Sequence, residues 1–393
     1  MIKIIKNVEV YAPDHLGKKD VLIADKSVAA IKDSIEKPAN LPGMEVIEGD
    51  GQLLVPGFID PHVHISGGGG EGSFTTRTAS IRLSQATTAG VTTLIGVRGT
   101  DGFCRHMEEL VAKAKSLKEE GVTCYVLTGS YQVPVRSITG DIEKDLMLIE
   151  EVIGVGEIAL SDHRSSQPTF DEIAKIAASA RVGGILSGKS GVVNIHVGDG
   201  PRKVDLIHNI VAKTELPYRQ FCLTHMNRNP DLFREGIDFA KRGGHIDYTT
   251  STPDPILDEG TVKCSKALKA CLDAGVAENH ITFSSDGQGS LPIFNTNKEM
   301  IGLGIGSCES LFLEVRSAVQ DEGIPLETAL KVITSNPADL YRLEKKGRLS
   351  KGKDADLVFL NANDLSIRSV MAMGKQMVKD GEIVVYGTFE QLS

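Results

Sequence analysis

The hydrophobic pattern changes twice along the chain. In residues 1–55, short runs such as "IKIIKNVEVY" and "MEVIEGDGQLLV" alternate apolar and polar positions, and residues 347–388 do the same. A period of two is typical of strands in an antiparallel sheet. Between these ends, short apolar runs alternate with longer stretches of helical periodicity. This alternation indicates a parallel α/β region in the middle of the chain.

Eight apolar runs in the middle of the chain have the length of strands. In chain order they read "GFIDPHVHI", "VTTLIGV", "TCYVLTGSY", "GVGEIAL", "VVNIHVG", "QFCLTHM", "HIDYTTS" and "ITFSSDG". The stretches between several of them, such as "RHMEELVAKAKSLKEEG", are helical in pattern and end at glycine, a frequent helix stop. Eight such units predict an α/β fold, a (β/α)8 TIM barrel over about residues 56–346. Its active site would lie at the C-terminal ends of the strands.

A doubly wound open sheet is the structural alternative. Such a sheet more often has fewer strands and a phosphate-binding glycine loop. The glycine run "GGGGEGS" is not followed by the Lys-Ser/Thr pair of a phosphate-binding loop. The strand count therefore favours the barrel, and the glycine run is interpreted as a mobile lip near the first strand.

Composition narrows the function classes. Of the 393 residues, 41% are hydrophobic and 24% charged, as in ordinary globular proteins, and the net charge of −9 argues against a nucleic-acid partner. No run approaches the ~18 apolar residues of a membrane span, and the N-terminus lacks the apolar core of a signal peptide. Six scattered cysteines without a C-x-x-C pair predict reduced core residues. We therefore expect a cytoplasmic protein with no membrane partner.

Histidines and carboxylates collect at the ends of the predicted strands. The six residues are His62, His64, Glu157, His196, His225 and Asp286. Any one of them alone is more often a satisfied core or loop residue than a ligand. Together they would lie in one layer of the barrel, where a buried carboxylate without a cation is costly. The pattern predicts one or two divalent metal ions. Mixed imidazole and carboxylate ligands suit zinc, and manganese, iron or cobalt less specifically.

These motifs resemble a known superfamily. "PGFIDPHVH", a mid-chain acidic residue, His196, His225 and Asp286 are similar to the amidohydrolase superfamily, as is "TSNPADLYRLEKKGRLSKGKDADLVFLN" near the C-terminus. The resemblance implies that the chain leaves the barrel there and re-enters a small β-sandwich. That domain would be built from both chain ends, residues 1–55 and 347–393, around the barrel of residues 56–346.

Within the superfamily the match narrows. "HVHISGGGGEGSFTTRT", "TGSYQVPVRSITG", "SDHRSS", "THMNRNPDLF" and "SSDGQGSLP" together resemble the bacterial isoaspartyl, or β-aspartyl, dipeptidases over essentially the whole chain. The resemblance implies metal-dependent hydrolysis of the β-aspartyl amide bond in dipeptides, which releases aspartate and an amino acid. It also implies a large homo-oligomer, an octamer.

The resemblance assigns metal ligands and catalytic roles. His62, His64 and Asp286 would hold one divalent ion, and His196 and His225 the other. The two ions, with zinc as the favoured metal, would share a bridging hydroxide. Asp286 would act as general base and then general acid. Tyr131 would stabilise the charge of the tetrahedral intermediate, although taken alone it is better interpreted as a loop-packing tyrosine.

A β-aspartyl substrate carries a free α-amine and a free α-carboxylate beside the scissile amide, so its site needs an anion and a cation at fixed positions. By resemblance, Glu71 pairs with the amine. Arg164 and Arg228 each follow a strand-end motif and would clamp carboxylates in fork geometry. Ser290, four residues past Asp286, would add a hydrogen bond, and Thr100 is a weaker candidate for contact with the substrate backbone. A surface charge taken alone is usually only solvated. The predicted substrate-binding residues are Glu71, Thr100, Tyr131, Arg164, Arg228 and Ser290.

The chain departs from the family at one position. The family usually has a carboxylated lysine that bridges the metals from the fourth strand, where this chain has Glu157. A glutamate is shorter by roughly 3–4 Å, and we expect Gly154 and Gly156 to permit the closer backbone approach it needs. The hypothesis is that Glu157 bridges the metals directly. The alternative is that it lies behind the ligands and that one metal binds tightly.

Two other functions stay open at this point. A cyclic-amide hydrolase such as a dihydroorotase or hydantoinase would share the metal ligands but not the set formed by Glu71, Tyr131, Arg164 and Arg228. A non-catalytic metal-binding barrel would account for the missing lysine. Retention of Asp286 argues against it, because a binding protein needs no proton shuttle.

Overall fold

A computed structural model of the chain describes residues 2–37, 43–251, 260–294 and 300–390. The N-terminal part is rich in strands, as predicted. Its strands are β1 (Ile2–Tyr11), β2 (His15–Ala24), β3 (Ser27–Lys32), β4 (Glu45–Glu48) and β5 (Gln52–Pro56). β1 pairs antiparallel with β2 and parallel with β4 and β5.

Eight parallel strands follow and form the barrel. They are β6 (Phe58–Val63), β7 (Val91–Gly96), β8 (Thr123–Thr128), β9 (Val152–Leu160), β10 (Val192–Val197), β11 (Phe221–Thr224), β12 (His245–Thr249) and β13 (Ile281–Ser284). Each pairs with the next in chain order. A parallel bridge between Val63 and Gly287 brings the first and last strands together. All eight predicted strands, and with them the predicted barrel, are confirmed.

Helices pack around the barrel. They are α1 (Leu83–Thr87), α2 (Met107–Glu120), α3 (Ile142–Leu148), α4 (Phe170–Ser187), α5 (Asp205–Lys213), α6 (Pro230–Lys241), α7 (Cys264–Asp273), α8 (Glu309–Gln320), α9 (Leu326–Lys331) and α10 (Ser335–Leu340). α4 begins with a capping box between Thr169 and Glu172 and ends at Gly188 in the left-handed conformation. Asn229 caps α6 ahead of Pro230, so both helix starts follow from local sequence.

The C-terminal strands return to the N-terminal sheet. After a hairpin of β14 (Ser290–Phe294) and β15 (Met300–Ile305), the chain forms β16 (Leu357–Asn361), β17 (Ile367–Ala372), β18 (Lys375–Lys379) and β19 (Glu382–Ile383). β16 pairs antiparallel with β5, so one nine-stranded sheet contains both chain ends. This confirms the small domain built from both ends. The boundaries at residues 55–56 and 346–347 stay predictions, and β5 extends to Pro56.

The two ends of the barrel differ. At the N-terminal end of the strands, a cluster of buried apolar side chains that includes Ile59, Ile153 and Val192 packs against Tyr341 and Leu343, which follow α10. This packing closes that end. The other end opens toward the loops that follow the strands, and the predicted ligands lie there.

The structure also bears on the expectations for the cysteines and for membrane spans. None of the six cysteines forms a disulfide, and five are buried, but Cys104 is exposed in the loop after β7 and is not a core residue. A loop has no apolar periodicity, so its position gave no signal in the sequence. Within the residues that the structure describes, no helix combines the length and the hydrophobicity needed to cross a bilayer.

Candidate active site

The two histidines of "HVH" lie at the end of β6 with their side chains on one side. His62 is the fifth residue of β6 and His64 follows the strand. Their rings lie 5.7 Å apart, and both are buried. His64 Nε2 lies 3.0 Å from Asp286 Oδ1, which reaches the same place from the end of β13. The period of two and the closure of the barrel therefore bring the three residues together.

Glu157 occupies the centre of the cluster. Its carboxylate is fully buried in β9. Oε2 lies 3.2 Å from His196 Nδ1, 3.4 Å from His62 Nε2 and 3.6 Å from His225 Nε2. Oε1 faces the other way and lies 3.6 Å from His64 Nε2. The two oxygens thus face different histidines, as a bridging carboxylate would.

The glycines before Glu157 permit close packing of β9 on β10. A Cβ at Gly154 would lie 2.7 Å from the carbonyl oxygen of Val192. At Gly156 it would lie 2.6 Å from the carbonyl oxygen of Asn194, and Gly156 has a φ of 141°. Only glycine accommodates both the contact and the backbone angle there. The sequence "GVGE" therefore fixes the path of the strand that carries the glutamate.

Charges within the cluster oppose the effect of burial. Burial lowers the pKa of His62, but the charges of Glu157 and Asp286 raise it by more than burial lowers it. The resulting pKa is about 9. Burial raises the pKa of both carboxyl groups, but the surrounding histidines outweigh it. They bring the pKa of Asp286 to about 2 and hold that of Glu157 well below its usual value. Both carboxylates are therefore ionised at neutral pH, and the cluster favours a cation.

His225 differs from His62 in its protonation state. Burial lowers its pKa to about 3, so its imidazole is neutral at neutral pH. Its Nδ1 lies 2.6 Å from Thr249 Oγ1, and this contact fixes the ring with Nε2 toward Glu157. A neutral imidazole held by its other nitrogen is the usual state of a metal-binding histidine.

The donor set fits a divalent metal. The ligand atoms of His62, His64 and Asp286 lie within 4.8 Å of one another, and so do those of His62, Glu157 and His225. Within the described residues, neither ring nitrogen of His62 nor Oε1 of Glu157 has a hydrogen-bond partner. Buried polar atoms without partners are costly unless a ligand satisfies them. The first group matches the predicted ligands of one ion. The second contains His62 in place of His196, so the division between two ions stays a prediction.

A cavity of about 530 Å³ opens above the cluster. Its lining includes all six predicted substrate-binding residues: Glu71, Thr100, Tyr131, Arg164, Arg228 and Ser290. Glu71 Oε1 accepts a hydrogen bond from Thr100 Oγ1 at 3.0 Å and lies 3.5 Å from Arg164 Nη1. Its Oε2 accepts from Ser290 Oγ at 3.1 Å. Four of the six thus form one network on one wall.

Arg228 and Tyr131 line the cavity beside this network. Within the described part of the chain, Arg228 Nε has no hydrogen-bond partner, and its Nη1 lies 4.0 Å from Asp199. Its guanidinium is therefore available to an anionic ligand. The hydroxyl of Tyr131 lies 2.9 Å from His196 Nδ1. Burial, reinforced by the charge of Glu157, raises the pKa of Tyr131 well above its usual value, so the phenol keeps its proton.

Among the site residues that were not predicted, Arg105 and Asp162 each make several contacts. Arg105, buried in the loop after β7, donates hydrogen bonds to the carbonyl oxygens of Ser66, Gly68 and Thr78, and so holds the glycine run that carries Glu71. Asp162, in the quoted motif "SDHRSS", contacts Arg164 and His196. Asp162 could have been found by its place just after the fourth strand. Arg105 has no such signal.

Comparison with known proteins agrees with this geometry. The amidohydrolase family model matches residues 53–377. A crystal structure of the β-aspartyl dipeptidase from Fervidobacterium islandicum AW-1, in complex with β-Asp-Leu, is 45% identical with a TM-score of 0.89, and the match covers 98% of each chain. The predicted resemblance to β-aspartyl dipeptidases is therefore confirmed.

More distant relatives catalyse other reactions. A dihydroorotase from Listeria welshimeri is 26% identical, over 91% of this chain and 88% of its own length. An adenine deaminase from Bacillus velezensis is 25% identical over 87% of this chain, which spans only 52% of that relative. The match to the family model extends from β5 to β18 and includes every residue of the buried cluster. The chain belongs to the amidohydrolase family.

Proposed function

We propose that the chain is a metal-dependent β-aspartyl dipeptidase, which hydrolyses the β-aspartyl amide bond of dipeptides to aspartate and an amino acid. The observation that carries the proposal is the pairing of Glu71 with Arg164 on the wall of a cavity directly above the histidine–carboxylate cluster. An anion and a cation at fixed separation suit a substrate end that carries both an amine and a carboxylate. The similarity to the Fervidobacterium dipeptidase supports the same substrate class.

Recognition would divide between the two charged groups of the β-aspartyl end. Glu71 would accept hydrogen bonds from the α-ammonium, and the planar guanidinium of Arg164 would donate to the α-carboxylate. Arg228, on the same cavity, would bind the carboxylate of the second amino acid. A dipeptide has both carboxylates, which accounts for two arginines in one cavity.

Four histidines and two carboxylates would hold two divalent metal ions, with Glu157 between them. When bound, such ions activate water as a nucleophile and polarise the scissile carbonyl. Zinc is the metal that this ligand set favours.

The protein's own groups would handle the proton and the developing charge. Asp286, with its pKa of about 2, is ionised and can accept the proton of the attacking water, then deliver it to the departing amine nitrogen. An amide nitrogen is a poor leaving group without this proton. Tyr131 remains protonated and can donate a hydrogen bond to the oxygen that becomes negative in the tetrahedral intermediate.

A cyclic-amide hydrolase is the second candidate, because the dihydroorotase relative spans nearly the same residues. Dihydroorotate and hydantoins carry no free ammonium group, so Glu71 would gain no charged partner from these substrates. A carboxylate that loses water on binding without gaining a partner from the substrate costs binding energy. The geometry around Glu71 therefore favours the dipeptide.

The test is hydrolysis of β-Asp-Leu against α-Asp-Leu by the purified full chain with added zinc, and again with a chelator. We expect cleavage of the β-linked peptide alone, and its loss on chelation. Cleavage of dihydroorotate or a hydantoin, without cleavage of β-Asp-Leu, would establish the second candidate. Tight zinc binding with no turnover of any of these would favour a non-catalytic barrel.

A further inference from the structure

Asp162 uses both carboxylate oxygens to connect the substrate cavity with the buried cluster. It lies two residues after the end of β9, and its side chain is 5% exposed. Oδ1 accepts hydrogen bonds from the backbone N–H of Arg164 at 2.8 Å and from Arg164 Nε at 3.0 Å. Oδ2 accepts from Arg164 Nη2 at 2.8 Å and lies 3.0 Å from His196 Nε2. One carboxylate thus contacts two residues with different proposed tasks.

The contact with His196 fixes which ring nitrogen carries hydrogen. An ionised carboxylate only accepts hydrogen bonds, so Nε2 carries the hydrogen and donates it to Asp162. In the neutral imidazole, Nδ1 then keeps its lone pair, which can accept from the Tyr131 hydroxyl at 2.9 Å and faces Glu157 Oε2 at 3.2 Å. Two lone pairs that face each other at this distance favour a cation beside them. The hydrogen bond from Nε2 therefore prepares Nδ1 as a ligand.

The opposite tautomer fits less well. In it, Nε2 would accept a hydrogen bond from Arg164 Nη2 at 3.4 Å, and Nδ1 would donate to Glu157 Oε2 at 3.2 Å. Both contacts are longer than the 3.0 Å between Nε2 and Asp162 Oδ2. Asp162 Oδ2 would then face the Nε2 lone pair at 3.0 Å, which is repulsive. The shortest contact between Asp162 and His196 would then not be a hydrogen bond. The distances thus favour Nε2–H donating to Asp162.

The contact with Arg164 fixes the direction of its guanidinium. Asp162 binds Nε and Nη2 in a bidentate fork, and the remaining nitrogen, Nη1, points toward Glu71 on the cavity wall. A bidentate pair restricts rotation about the guanidinium more than a single hydrogen bond can. Burial raises the pKa of Asp162, but His196 and Arg164 outweigh burial and hold it well below its usual range.

We propose that Asp162 is a positioning residue that sets metal affinity through His196 and substrate affinity through Arg164. The inference rests on the proposed function for the identity of metal and substrate. It predicts that substitution of Asp162 changes both zinc affinity and KM. Substitution of Arg164 should change KM alone. A residue that only stabilised the loop after β9 would not produce that pattern.

The experiment compares Asp162→Asn, Arg164→Met and the double variant as full-length proteins. Zinc dissociation constants are measured by competition with a chromophoric chelator, without substrate, and KM is measured with β-Asp-Leu. Asp162→Asn is expected to weaken zinc binding about 10- to 100-fold and to raise KM. Arg164→Met is expected to raise KM and leave zinc affinity unchanged. The double variant should match Asp162→Asn in zinc affinity and Arg164→Met in KM, because the effect of Asp162 on KM acts through Arg164.

Asp339→Asn is the matched control, since Asp339 makes a comparable bidentate pair with Arg348 at 2.7 Å on the surface. It should change neither quantity. The double variant also guards against misfolding, because it leaves no buried arginine without its partner. If Asp162→Asn does not fold, the double variant is compared with Arg164→Met, and equal zinc affinities would overturn the proposal. Wild-type protein that binds zinc but does not cleave β-Asp-Leu would refute the proposed function, while the zinc comparison would still decide the role of Asp162.

Discussion

Ser290 Oγ donates a hydrogen bond to Glu71 Oε2 at 3.1 Å across 219 positions of the chain. Glu71 lies in the loop after the first barrel strand, and Ser290 begins the hairpin after the last. Closure of the barrel brings these two loops side by side. With Thr100 and Arg164 as further neighbours, Glu71 is held in place before any substrate arrives. A site arranged in advance loses less entropy on binding its ligand.

Glu71→Gln is expected to reduce substrate affinity more than turnover. The amide keeps the size of the side chain but loses the charge that would pair with an α-ammonium group. We expect kcat/KM for β-Asp-Leu to fall about 10- to 100-fold, mainly through KM, while zinc affinity stays unchanged. Glu119→Gln, on the exposed face of α2, is the control and should change neither. Equal KM values for Glu71→Gln and the wild type would mean that the amine is not recognised here.

Glu157→Gln tests the direct bridge. The substitution removes the central charge and leaves an amide nitrogen among three histidines. We expect bound zinc, measured by atomic absorption, to fall from two ions per chain to one or fewer. Turnover should fall by more than about 100-fold. Two tightly bound ions in this variant would show that Glu157 does not bridge.

A glutamate bridge also needs no carbon dioxide. Zinc reconstitution of the metal-free wild type in buffer stripped of bicarbonate should restore the same activity as reconstitution with bicarbonate. A carboxylated lysine would require bicarbonate, because the carbamate forms from carbon dioxide. A dependence on bicarbonate would point to a modified lysine elsewhere in the site.

The sequence predicted the parts of this site that lie at strand ends. His62, His196 and Asp286 could be placed because the strands of a barrel end in one layer, and residues near or just beyond those ends lie together. Glu71 and Tyr131 came from the family resemblance and the other predicted substrate-binding residues from their place near strand-end motifs, and the structure places all six on one cavity. Their individual roles stay predictions.

The residues that were missed act through irregular backbone. Arg105 donates hydrogen bonds to backbone carbonyl oxygens in and near the glycine run. Every residue has a carbonyl oxygen, so such partners cannot be recognised from the pattern of side chains. Asp162 was quoted within a motif, but its two contacts depend on the turn that follows β9. The hairpin that begins at Ser290 was also not predicted, although it supplies one wall of the cavity. Local periodicity carries no information about such long-range contacts.

Zinc affinity is expected to rise with pH. In the metal-free protein the pKa of His62 is raised to about 9, so its imidazole is protonated at neutral pH. The protonated imidazole stabilises the folded metal-free protein, and this contribution to the free energy of unfolding is fully present below about pH 6.5. That contribution is lost as the pH rises through 9. Zinc must displace this proton, so affinity should increase about tenfold per pH unit between pH 6 and 8.

The pH dependence can be measured by chelator competition at each pH, corrected for protonation of the chelator. His225 should contribute nothing to the slope, because its pKa of about 3 leaves it neutral throughout this range. A zinc affinity that does not vary between pH 6 and 8 would mean that His62 is already neutral in the metal-free protein.

Gly156→Ala is expected to damage both the barrel and the metal site. The added Cβ would lie 2.6 Å from the carbonyl oxygen of Asn194, at a φ of 141° that alanine rarely adopts. We expect the free energy of unfolding of the metal-free protein, measured in urea, to fall by about 2–4 kcal/mol. Zinc affinity should also fall, because relief of the contact must move β9 and with it the adjacent Glu157. Gly302→Ala is the control, since its Cβ would lie 4.0 Å from the nearest side chain and its φ is not in the left-handed region. If Gly156→Ala lowered stability but bound zinc as tightly as the control, the position of Glu157 would not depend on the close approach of β9 to β10.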